Sequence, residues 1–240
     1  MITIQQSKNL TMIYLVPSFL SDNAIETIPE YVIAAVKNCQ AIFAENERTA
    51  RRFLKAMDRE IVIDNFEWHT IHKAEQEALE IFKQKIKEGK NIAIISEAGC
   101  PGIADPGQVL VHEAQKMNAE IKPLVGPSSI LLALMASGFN GQHFSFHGYL
   151  PIDNLERIKK LKQLEEESSR KKCTQIFIET PYRNNKMLET ILEHCHPDTH
   201  LCIGSEITSP KEFIKTKNIK EWKDKKPDLH KKPVIFLLMT

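Results

Sequence analysis

A chain of 240 residues is long enough for one large domain or two small ones. Its 42% hydrophobic and 26% charged residues are the balance of a folded soluble protein. A formal net charge of +1 excludes a strong general attraction to nucleic acid, so any RNA binding requires a local basic patch.

In chain order, residues 12–16 read as a first strand ending at Pro17. Thr27, with Pro29 just inside, opens a helix to about Lys37. Residues 41–44 are a short strand and 47–55 a helix with a basic side carrying Arg48, Arg51, Arg52 and Lys55. Those cations lie at helical spacings suited to phosphates, with Glu45 and Glu47 as the alternative partners on a solvated face. Trp68, His69 and His72 read as loop and helix-start packing. Ala74, Ala78, Ile81, Phe82 and Ile86 give an amphipathic helix stopped by Gly89.

The apolar run 92–95 reads as a buried strand and 109–117 as an amphipathic helix. Between them lies Ser96-Glu97-Ala98-Gly99-Cys100-Pro101-Gly102-Ile103-Ala104-Asp105-Pro106-Gly107. Three glycines and two prolines make a loop of fixed shape whose backbone approaches a ligand closely. A second unit of the same kind follows: strand 121–125, Gly126-Pro127-Ser128-Ser129, then the apolar helix 130–136. Loops at the carboxyl ends of strands are where open α/β sheets bind small molecules. Glycine loops supply backbone donors, while Ser96, Glu97 and Asp105 supply hydroxyl and carboxylate groups to a small polar ligand.

After Pro151 the composition changes. Residues 154–172 form a highly charged helix with Leu155, Ile158, Leu161 and Leu164 on one side. Strand 174–179, helix 184–194 and strands 200–206, 212–216 and 234–239 follow; adjacent strands without helices between them point to a mixed sheet. The expected architecture is α/β with two domains, 1–149 and 150–240: a mainly parallel N-terminal sheet, a break at residues 149–154, and a mixed C-terminal sheet. His194, Cys195, His196, His200 and Cys202 match no standard zinc spacing, so no metal site is expected. Cys100 has no cation beside it in sequence to activate it.

The first eight residues lack the charged-then-apolar order of a signal peptide. The longest apolar run, 130–136, is far below the roughly 18 residues of a membrane helix. Five scattered cysteines fit reduced thiols. The expectation is a cytoplasmic protein without membrane contact.

The motif set resembles the tetrapyrrole methylase superfamily of S-adenosylmethionine-dependent methyltransferases. Within it, the likeness is to the branch that methylates a ribose 2′-hydroxyl of small-subunit ribosomal RNA. It is carried by residues 96–102, Asp105-Pro106-Gly107, Val125-Gly126-Pro127-Ser128, Gly148-Tyr149-Leu150-Pro151, Phe177-Ile178-Glu179-Thr180-Pro181-Tyr182-Arg183 and Glu206-Ile207-Thr208. Glu97 and Cys100 stand where the family usually carries Asp and Thr, and Pro17-Ser18-Phe19-Leu20-Ser21-Asp22 lacks that branch's first-loop glycine. A bulky Phe19 or Leu20 is expected to narrow an acceptor groove. The resemblance implies a two-domain tetrapyrrole-methylase-like fold and S-adenosylmethionine as methyl donor. Donor contacts would come from Ser96, Glu97, Ala98, Gly99, Asp105, Gly126, Pro127, Ser128, Ser129 and Tyr149. It further implies Glu179 and Arg183 as catalytic candidates, RNA as acceptor through Arg48, Arg51 and Arg52, and a homodimer. The alternatives are a tetrapyrrole-like or other small acceptor, and a donor-binding protein that does not methylate RNA.

Overall fold

The computed structural model describes residues 11–22, 24–71, 75–104 and 107–240, with only the backbone of Glu75. Asp105, His72 and Ala74, named above, lie outside the described residues. The chain forms two compact units, Met1–Pro127 and Ser128–Thr240.

In the first unit, strands β1 (Met12–Val16), β2 (Ala41–Ala44), β3 (Glu67–Thr70), β4 (Ile92–Ile95) and β5 (Glu120–Pro123) alternate with helices α1 (Tyr31–Lys37), α2 (Glu47–Met57), α3 (Glu75–Lys87) and α4 (Gln108–Lys116). The sheet order is β3-β2-β4-β1-β5, and every pairing is parallel. β2 and β4 are buried on both faces, as a covered parallel sheet demands. Alternate side chains feed two cores. Ile42, Ala44, Ala93 and Ile95 pack with Val32, Val36, Phe53 and Leu54 of α1 and α2. Ala41, Phe43, Ile92 and Ile94 pack with Phe82, Leu110 and Ala114 of α3 and α4. Helices therefore cover both faces, and the carboxyl ends of β4, β1 and β5 stand side by side.

Two local expectations change. The helix expected from Thr27 begins only at Tyr31. Thr27 Oγ1 donates to Ala24 O (2.6 Å), closing a 3₁₀ turn over Ile25–Thr27. Ile28, held extended before Pro29, then interrupts helical continuation. Trp68 and His69, expected in a loop, lie in β3, which pairs with β2 from the sheet edge.

The second unit contains α5 (Ser129–Ser137), β6 (Phe144–Tyr149), α6 (Asn154–Lys171), β7 (Thr174–Ile178), α7 (Asn184–His194), β8 (His200–Ser205), β9 (Phe213–Asn218), α8 (Ile219–Asp224) and β10 (Val234–Met239). Its order is β6-β7-β10-β8-β9: β6 and β7 are parallel, and the remaining pairs antiparallel. This is the mixed sheet expected. Its core joins Phe177, Phe236 and Ile203 to Leu161, Leu164, Leu188, Ile191 and Trp222. The break expected at residues 149–154 falls inside this unit. β6 is hydrogen-bonded to β7 and α5 packs on β8, β9 and β10, so the division lies at Pro127/Ser128. Among the described residues, no helix is long and apolar enough to cross a membrane.

Candidate active site

Three loops leave the neighbouring strands β4, β1 and β5 of the first unit, and the loops after β4 and β1 are knotted together by buried hydrogen bonds. After β1, Ser18 and Gly99 form an isolated antiparallel bridge: Ser18 N donates to Gly99 O (2.9 Å) and Gly99 N to Ser18 O (3.2 Å). Ser18 Oγ donates to Ser96 O (2.8 Å), and Ser96 Oγ donates to Gly99 O (2.6 Å). Gly99 holds φ at +75°, a left-handed conformation that a side chain disfavours. The third loop joins through Cys100, whose thiol points to Pro127 O at 3.5 Å, and through Gly126, which lies against the Pro17 ring. Tyr31 Oη accepts from Val125 N (2.7 Å) and holds the start of that loop.

This geometry assigns the expected residues unequal positions. Ser96 is buried with its hydroxyl committed to Gly99, so it shapes the loop rather than meeting solvent. Glu97 and Ala98 are exposed, while Gly99 and Pro127 are buried. Gly126 leaves no room for a methyl group, because one would overlap Cβ and Cγ of Pro17. Burial pushes the Cys100 thiol above its usual range, in line with a packing role.

A cavity of about 510 Å³ opens where the first two loops meet α2. The loops contribute residues 18–22 with Glu97 and Ala98, and α2 contributes Thr49, Arg52, Phe53 and Ala56. Phe19 does not close it: its ring packs edge-to-face on Phe53, centroids 5.0 Å apart. The cavity therefore stays open beside a bulky first loop. Its wall offers carboxylates (Asp22, Glu97), hydroxyls, one guanidinium and an aromatic edge, a set suited to a polar ligand that carries hydroxyls and charges of both signs. Sequence reasoning singled out Arg52 and Glu97 but missed Thr49, Phe53 and Ala56; their i, i+4, i+7 stripe on α2 was the available signal.

The three arginines of α2 diverge. Arg51 donates to Glu47 (Nε–Oε1 2.8 Å), approaches Asp64 at 3.6 Å and stacks on Trp68 at 4.7 Å. Arg48 and Arg52 are exposed, and Arg52 lines the cavity.

In the second unit, Ser128 is the N-cap of α5 without a side-chain cap bond, and Tyr149 ends β6 largely exposed. Glu179 is buried just after β7, and its Oε1 accepts from Thr180 N (2.6 Å), Arg183 Nε (3.0 Å) and Arg183 Nη2 (2.7 Å). The pair fixes the turn into α7, whose N-cap is Arg183. Among the described residues, no group of three or more His, Cys, Asp or Glu side chains is placed to hold a metal.

The family model for Tetrapyrrole (Corrin/Porphyrin) Methylases matches residues 24–223. The chain belongs to this family. Ribosomal RNA small subunit methyltransferase I of Haemophilus influenzae is 34% identical over 167 residues, 68% of this chain and 58% of that protein. The protein of the same name from Bacillus subtilis is 31% identical over 208 residues, covering 86% of this chain and 68% of the relative. The chain thus spans 58% of the Haemophilus relative's length. Among solved structures, the methyltransferase CobJ superposes with a TM-score of 0.61 at 19% identity, covering 96% of this chain and 94% of that one. The cobalt precorrin-4 methyltransferase CbiF gives 0.60 at 13%, covering 95% and 94%. At these identities the two structures show a shared fold. In this member of the family, the first loop carries Phe19 and Leu20.

Proposed function

We propose that the chain transfers a methyl group from S-adenosylmethionine to RNA, at a ribose 2′-hydroxyl of small-subunit ribosomal RNA or a related site. Family membership and the relatives' names support the reaction class and acceptor. The observation that carries the reading in this chain is the 510 Å³ cavity, where the expected donor loop (Glu97, Ala98) meets Arg52.

The residues present suit the donor. The exposed Glu97 carboxylate is an acceptor for ribose hydroxyls, and the locked 96–99 turn presents its backbone edge in one conformation. The donor supplies a methyl carbon on a positively charged sulfur. An acceptor oxygen held in line behind that carbon would displace the sulfur, which would keep the electron pair of the broken carbon–sulfur bond, and the hydroxyl proton would pass to a carboxylate or to water. Positioning supplies most of the rate, up to about 7–11 kcal/mol in favourable cases. Arg52 is the cation that orients an acceptor phosphate at the cavity; Arg51, paired with Glu47, supports α2 instead.

The resemblance adds Gly126, Pro127, Ser128, Ser129 and Tyr149 to donor binding and Glu179 with Arg183 to the acceptor end. With three donors on one oxygen, Glu179 acts by holding the Arg183 guanidinium, which is the charged group offered outward. A homodimer in the cytoplasm completes the reading. Titration calorimetry tests the donor step: binding of S-adenosylmethionine or its demethylated product, weakened by Glu97→Ala, is expected. Absence of binding by either compound at millimolar concentration overturns it.

A further inference from the structure

Residues 211–232 carry nine lysines against four acidic side chains, a local excess of five positive charges in a chain whose formal net charge is +1. The remaining residues are therefore net acidic, and this segment is a local basic stretch of the kind RNA binding requires. It contains β9, the outer strand of its sheet, which among the described residues pairs only with β8.

Strand alternation divides β9 into two faces. Thr216 turns toward α5, where its hydroxyl donates to Ser137 O (2.7 Å). Phe213, Lys215 and Lys217 share the opposite face, the one α8 packs against. There Trp222 is buried, with the Phe213 ring 6.3 Å away and the Lys217 ammonium over its ring at 5.1 Å. Lys215 is exposed, as are Lys211 just before the strand and Lys223 on α8. None of these three forms an ion pair with a described residue. By contrast Lys220 pairs with Asp198 (2.7 Å) and Lys226 approaches Glu189 (3.8 Å). Phe213 is 38% exposed, an aromatic ring left at the surface between unpaired cations.

Unpaired lysines that alternate with an exposed ring on one face of a strand match a single-stranded nucleic acid, whose phosphates meet the cations while a base stacks on the ring. We infer that the Phe213–Lys215–Lys217 face of β9, extended by Lys211 and Lys223, docks single-stranded RNA and recruits the acceptor to this enzyme. The inference rests on the proposed RNA reading and adds a surface to it. Its driving force is release of counterions from the RNA backbone, so it is sequence-independent.

The test is binding of a mixed-sequence single-stranded oligoribonucleotide across a salt series. The parent protein is expected to bind with log K falling as log salt rises. Lys211→Gln/Lys215→Gln/Lys217→Gln should weaken binding and flatten the slope by about 2, at about 0.7 per lost phosphate contact. Its thermal midpoint and S-adenosylmethionine affinity should stay unchanged. Should the triple variant misfold, Lys215→Gln alone is expected to flatten the slope by about 0.7. Phe213→Ala should cost at least about fivefold in single-strand affinity with the slope kept. Variants that retain the parent's affinity and slope overturn the docking surface and leave the methyltransferase reading standing. A parent protein that binds no RNA at low salt overturns both.

Discussion

Gly126 and Pro17 occupy adjoining space so tightly that a methyl group on the glycine would overlap Cβ and Cγ of the proline ring. The third loop's glycine is thus required by the first loop's proline, whatever the ligand. Gly126→Ala should destabilise the protein by about 1–3 kcal/mol, as overpacking of a close-packed contact does. The check is a denaturant melt. An unchanged midpoint, with donor affinity alone reduced, would show that the glycine serves the ligand instead.

The Ser18–Ser96–Gly99 hydrogen bonds give a second expectation. Ser96→Ala removes one buried hydroxyl bond while Gly99 O keeps its bond from Ser18 N, so the cost should be about 1 kcal/mol. Donor affinity should fall with it, because the 96–99 turn is less firmly held. Calorimetry on the folded variant reads this directly, and full retention of affinity would separate the turn from donor binding.

Much of the fold was legible in the residues, and the exceptions have physical causes. Continuous apolar runs such as 92–95 announced doubly covered parallel strands. β3 escaped because Glu67-Trp68-His69-Thr70 is polar and draws its place from pairing with β2. β6 escaped because Gly148, at φ +63°, interrupts it where its pairing with β7 shifts register. The domain division lay in contacts made by α5, which composition does not record. At the site, Ser96 reads as a donor contact because a serine's partner is invisible in sequence; in the fold its hydroxyl donates to Gly99 O. Arg51 and Arg52 are neighbours in the chain, yet the 3.6-residue repeat sends one to Glu47 and Trp68 and the other to the cavity.

Thiol reactivity follows burial. Desolvation holds Cys39 up to about 12 and raises Cys195, Cys202 and Cys100 above their usual range. Native protein treated with iodoacetamide near neutral pH should therefore be modified slowly, and first at Cys100, the half-buried one. Peptide mapping that finds Cys39 or Cys195 labelled before unfolding would contradict the packing described.

The first unit should lose stability in mild acid. Burial, then the Lys85 charge, lowers the His69 pKa from its usual 6.5. The folded chain binds fewer protons there than the unfolded one, so stability rises with pH through the window just below 6.5 and is lost as pH falls through it. Glu67 acts lower: hydrogen bonds from Lys85 and Lys90 hold it down to about 2, so its contribution is present above 4.5 and fades toward 2. Being 41% exposed, it contributes less than the shift implies. His69→Phe keeps a ring against Phe43 and should flatten the decline of the thermal midpoint between about pH 7 and pH 5.5. Equal declines in parent and variant would assign the effect elsewhere.

The most direct measurement is transfer of labelled methyl from S-adenosylmethionine to total RNA and, separately, to a small-molecule extract, both taken from cells lacking this protein. The account predicts label in RNA, in dinucleotides that resist alkaline cleavage because the ribose 2′-oxygen is methylated, with the yield reduced by Arg52→Ala. Label confined to the small-molecule extract, or no transfer by protein that binds the donor, would contradict it.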